Sequence, residues 1–80
     1  MSLQILVHCT SVSDGMFSDE AVVQIKDRGG EAVYFTVPRS ELDPQGRLRA
    51  ILLETGRVQL PTNYRDTVAV HRDALDLAGR

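Results

Sequence analysis

AVVQIKDRGGEAVYFTV, residues 21–37, consists of two β-rich runs on either side of KDRGG. Gly29 and Gly30 offer the positive φ that a tight reversal needs, so the stretch predicts a β-hairpin. Val23 and Ile25 then face inward on the first arm, with Val33, Phe35 and Val37 inward on the second. A rival reading makes residues 19–28 a helix, capped by Ser18, with Asp19 and Glu20 in its first turn and Gly29 past its end. That helix would make the domain α+β. Val22, Val23 and Ile25 favour the strand, because β-branched side chains are stiff in helices and suit a pleated surface.

The remaining segments fit a strand-rich chain. Leu3, Ile5, Val7 and Cys9 alternate with Gln4, Leu6, His8 and Thr10, which predicts a half-buried strand with the first set inward. SVSDGMFSDE (11–20) is polar and carries an Asp14-Gly15 turn signal, so it reads as a loop. Pro38 ends the second hairpin arm, since it has no N–H to donate. RSELDPQG (39–46) follows as a helical turn or loop. RLRAILLE (47–54) is a strand with Leu48, Ala50 and Leu52 inward, and Thr55-Gly56 turns it into RVQL (57–60). Pro61 and TNYRD (62–66) lead to TVAVH (67–71), and RDALDLAGR (72–80) reads as one or two helical turns with a fraying end.

About six short strands with brief connections make an all-β domain, a small antiparallel barrel or sandwich with short helical turns near 39–43 and 72–77. A long first connection, a meander and a terminal helical turn give a layout that resembles SH3-like small β-barrels. The resemblance covers most of the chain, rests on no diagnostic motif, and implies a fold rather than an activity.

The chain also repeats itself. VPRSELD (37–43) and VHRDALD (70–76) share valine, arginine, leucine and aspartate at the same offsets, and each follows a VQI or VQL run. The echo predicts two similar strand-to-turn exits, each plugged by a leucine, Leu42 in one and Leu75 in the other.

Eighty residues support one domain with a thin core, for which dimerisation is a natural supplement. Eleven acids against nine bases give a net charge of −2, without the basic excess of a typical nucleic-acid binder. Eight of the nine bases are arginine, a bias that a GC-rich genome also produces. The single cysteine forms no internal disulfide, and neither a signal peptide nor a membrane span is evident, so a cytoplasmic location is the expectation.

Catalytic and ligand-binding constellations are sparse. His8 and Cys9 are strand neighbours whose side chains diverge, and Cys9 reads as a small buried hydrophobe rather than a nucleophile. The spacing of His8, Cys9 and His71 matches no zinc motif, and no glycine-rich phosphate loop exists, so no metal or cofactor is expected. The carboxylates at 14, 19, 20, 73 and 76 read as turn and helix-start residues. Arg39, Arg47, Arg49 and Arg57 are candidates for phosphate contacts, with Glu41, Asp43 and Glu54 close enough in sequence to neutralise them.

The leading functional reading is a non-enzymatic interaction module that dimerises or docks on a partner protein. Leu6, Val22, Tyr34, Ile51 and Leu53 lie on predicted outward positions, where a contiguous apolar patch marks an interface. Met16 and Phe17 sit in the longest loop. A small core wants its phenylalanines, so the pair is expected to fold back as a lid, and otherwise to project as a recognition element. The alternatives are a nucleic-acid-binding barrel using the four arginines, and an enzyme assembled across an oligomer interface around His8 or His71.

Overall fold

The computed structural model describes residues 2–62 and 66–77. Within it the 21–37 stretch is a hairpin. β3 (Glu20–Lys26) pairs antiparallel with β4 (Ala32–Pro38), in the register Val23↔Phe35 and Ile25↔Val33. Burial alternates along β3, where Ala21, Val23 and Ile25 are covered and their neighbours are not. That period of two belongs to a strand, so the helix over 19–28 is excluded. Of the two glycines at the reversal only Gly30 takes a positive φ, 89°. Asp27 N–H bonds Glu31 O and Gly30 N–H bonds Asp27 O. The same loop recurs at 43–47 with Gly46 and at 53–57 with Gly56, each with matching hydrogen bonds and a left-handed glycine in fourth place.

The other strands are β1 (Leu3–Val7), β2 (Ser11–Asp14), β5 (Leu48–Leu52), β6 (Val58–Gln59), β7 (Thr67–Val68) and β8 (Leu75–Asp76). They form a five-stranded sheet, β7-β6-β5-β1-β8, and a three-stranded sheet, β2-β3-β4. The inner faces meet in one core that draws Ile5, Val7, Leu48, Ala50 and Val58 from the first sheet and Val23, Ile25 and Val37 from the second. An isolated bridge, Asp27↔Val70, joins the sheets along one side, with Arg28 N–H bonded to Ala69 O and His71 N–H to Lys26 O. Among the described residues the ladders do not close into a barrel, so the fold is a small all-β sandwich.

Two strands were not legible as strands. β2 falls in the stretch read as a loop, and β8 in the stretch read as a helical turn. All four β2 residues are exposed, so no alternation marks them, and the strand exists because β3 offers a ladder partner. The expected helical turns are single 3-10 turns at Arg39–Glu41 and Arg72–Ala74. Residues 63–65 and the fraying end expected at 78–80 lie outside the described residues.

The sequence echo corresponds to a repeated structure. Val23↔Phe35 and Gln24↔Tyr34 in one hairpin match Val58↔Val68 and Gln59↔Thr67 in the other. Each hairpin exits through a 3-10 turn. Pro38 (φ −64°, ψ 137°) precedes one and His71 (φ −60°, ψ 139°) the other, while Leu42 and Leu75 follow in extended geometry. The two halves then exchange ends. Leu42 bridges Leu48 at the start of β5, and Leu75 pairs with Val7 of β1. Val7 and Leu48 are themselves paired, so both exits converge on the centre of the five-stranded sheet.

Candidate functional site

The two aspartates that end the echoed segments share one cation. Arg47 Nε lies 2.7 Å from Asp43 Oδ2, and its Nη1 lies 2.6 Å from Asp76 Oδ2. Desolvation pushes the Asp43 carboxyl upward. Hydrogen bonds from the Arg47 backbone and side chain and from Gln45 N–H outweigh that effect and hold it below the usual carboxylate range. The side-chain bonds to Asp43 and then Asp76 raise the Arg47 guanidinium further. Arg47, expected as a phosphate contact, is therefore a clasp between the two exits.

The other three arginines also have acceptors within the chain. Arg39 Nε donates to Ser18 O at 3.1 Å, and its Nη2 pairs with Asp14. Arg49 Nη1 donates to Ser40 O at 2.8 Å, and Arg57 donates to Thr67 through both Oγ1 and the carbonyl. A phosphate would have to displace these bonds or share their donors.

The apolar positions expected on one surface are divided between two. Leu6 and Ile51 belong to the outer face of the five-stranded sheet, Val22 and Tyr34 to that of the three-stranded sheet, and Leu53 to the turn after β5. Leu6 is not solvent-facing, being only 7% exposed. It sits on an interior strand, opposite Arg49 on one side and Asp76 on the other. Val22, Ile51 and Leu53 are half-buried, whereas Tyr34 is exposed.

Met16 and Phe17 do not form a lid. They are 89% and 63% exposed, the most open large apolar side chains among the described residues apart from Tyr34 at 64%. The loop that carries them is firmly held. Gly15 N–H bonds Glu20 O, Glu20 N–H bonds Phe17 O, and Arg39 N–H bonds Asp19 O. The Arg39 side chain ties both Ser18 and Asp14 to the first 3-10 turn. A Cβ at Gly15 would lie 2.9 Å from that of Glu20, so the loop closes this tightly only with glycine there. Val12, 41% exposed on β2, is an apolar surface residue that its polar neighbours concealed in the sequence.

No family model, curated protein or solved structure matches this chain. The chemistry must be read from the residues themselves.

His8 Nε2 lies 3.6 Å from Asp76, and His71 Nδ1 accepts from Asp73 N–H at 3.2 Å, capping the second 3-10 turn. His71 is more covered than its outward strand position suggested. Among the described residues no cluster of three metal-ligating side chains occurs, and no helix is long and apolar enough to cross a membrane. Cys9 is packed against the core, and burial pushes its thiol up to about 11. At pH 8 the native thiolate fraction is then on the order of a thousandth. Iodoacetamide labelling followed by mass spectrometry should therefore run roughly 100-fold slower in native protein than in urea. Equal rates would show that Cys9 is open to solvent. Because the folded value is raised, the stability Cys9 contributes is present below its ordinary 9.0 and lost as pH rises toward 11.

Proposed function

We propose that the chain is a non-enzymatic interaction module, a small β-sandwich of SH3-like proportions, that docks on a partner protein through Met16 and Phe17. The observation that carries this reading is two large apolar side chains held in water on a braced loop. Leaving them exposed forfeits about 1.5–3 kcal/mol of burial each, which a partner can recover. The braced backbone lowers the ordering cost of binding, and exposed anchors of this kind dominate interface energies. Val22 and Tyr34, on the outer face of the sheet that bears the loop, extend the contact surface.

The reading is tested by a photo-reactive phenylalanine at position 17, irradiated in the native host. A discrete adduct is expected at position 17 and none at Glu31, an exposed turn residue at the opposite end of the β3–β4 hairpin. An adduct of twice the chain mass would make the partner a second copy, a result that light scattering over a concentration series would confirm. The absence of any adduct at position 17 would overturn the proposal.

A further inference from the structure

The repeated architecture is broken in one place. On one side, Asp27↔Val70 and the His71 N–H to Lys26 O bond join the two sheets. The echo aligns His71 with Pro38, Lys26 with Pro61, and Asp27 with Thr62. The matching junction would need a bond from Pro38 N to Pro61 O, and proline has no N–H to give. Where it would form, the structure has a cleft of 340 Å³ lined by Thr36, Val37, Pro38 and Thr62, with Asp19, Glu20 and Asp66 among its other walls.

The cleft runs along a strand edge. Thr10 N–H bonds Gln24 O, so the backbone of Gln24 points toward β2 and that of Val23 and Ile25 toward β4. Antiparallel alternation then aims the Phe35 and Val33 backbone at β3, and the N–H and C=O groups of Tyr34 and Thr36 outward. Among the described residues β4 has no ladder partner but β3. The carboxylates of Asp19, Glu20 and Asp66 form no ion pair among the described residues.

We propose that the outer edge of β4 accepts an extended segment of a partner protein, rich in lysine or arginine, as an added strand. The outward backbone groups supply the hydrogen bonds, and the three carboxylates select cationic side chains. The cleft lies near the lower end of about 300–1,000 Å³ for ligand pockets, enough for one or two side chains of such a strand.

The inference rests on the docking-module reading and names the partner's chemistry, but it is tested at the β4 edge and not at the Met16 and Phe17 side chains. The probes are a short peptide of alternating lysine and threonine and its glutamate counterpart, each titrated at low salt and followed by amide NMR. The lysine peptide is expected to bind with shifts and exchange protection centred on Tyr34 and Thr36. Thr36→Pro removes only an outward N–H, which an edge strand tolerates, and should abolish that binding. The pair Asp19→Lys and Asp66→Lys should weaken it by about tenfold or more and favour the glutamate peptide instead. Phe17→Ser should leave peptide binding unchanged. Equal binding of both peptides, no binding of the lysine peptide, unchanged affinity in the charge-reversed protein, or loss with Phe17→Ser would each overturn the assignment.

Discussion

Leu48→Ala is expected to cost about 2–5 kcal/mol, enough to leave much of the protein unfolded at 37 °C. The side chain is fully buried. Leu48 pairs with Val7 across the centre of the five-stranded sheet and is bridged by Leu42 from the first exit. Truncation therefore leaves a cavity between the halves, where rigid ladders on both sides resist collapse. A domain of this length has a total stability of roughly 4–12 kcal/mol, so the loss is a large share of it. At about 4–8 °C per kcal/mol, the thermal midpoint should fall by at least about 8 °C. Circular dichroism melts check this against Leu53→Ala, which is half-buried in a turn and should lose much less. Similar losses at both positions would show that the centre of the sheet is not where stability is concentrated.

The core was legible because strand periodicity is a local signal. Ile5, Val7, Val23, Ile25, Val37, Leu48 and Ala50 follow directly from alternation, and all are buried. Leu6 is buried on the outward face, because alternation says which face a residue occupies but not that strands flank it on both sides, as β5 and β8 do here. β2 was invisible for a related reason. Ser11–Asp14 buries nothing, so its strand state is imposed by hydrogen bonding to β3 rather than by its own pattern. Met16 and Phe17 were expected to fold inward on grounds of composition, yet the core fills without them, and the Arg39 brace holds their loop away from it. The brace could not be foreseen, since Arg39 and Asp14 are 25 residues apart.

The echo was the most informative feature, and its meaning lay in a residue it does not contain. VPRSELD and VHRDALD gave two matching exits, but nothing local says that Asp43 and Asp76 meet at Arg47. That convergence requires the halves to exchange ends, which is a long-range property of the topology. The same comparison turns the proline at 38 from a strand terminator into the reason the matching bond between the sheets cannot form.

End exchange also makes residues 72–77 structural. Ending the chain after His71 removes Ala74, which is buried, and Leu75, which packs on the core and pairs with Val7. It also removes the Ala74 O acceptor of His8 N–H and the Asp76 half of the Arg47 clasp. Lost apolar burial alone amounts to about 2–3 kcal/mol, and β1 is left as a bare edge beside an uncovered core. Urea unfolding should therefore show the truncated chain losing most of its stability, or failing to fold as a monomer. The symmetry adds a sharper expectation at single-residue level. Leu42 and Leu75 occupy equivalent plugs, one deep within the chain and one near its end, so alanine at either should cost the same to within about 1 kcal/mol. A large loss at Leu42 with none at Leu75 would mean that the second exit frays and that the two halves are not energetically alike. Equal losses would place the second exit on the same footing as the first, which is what two halves that close each other require.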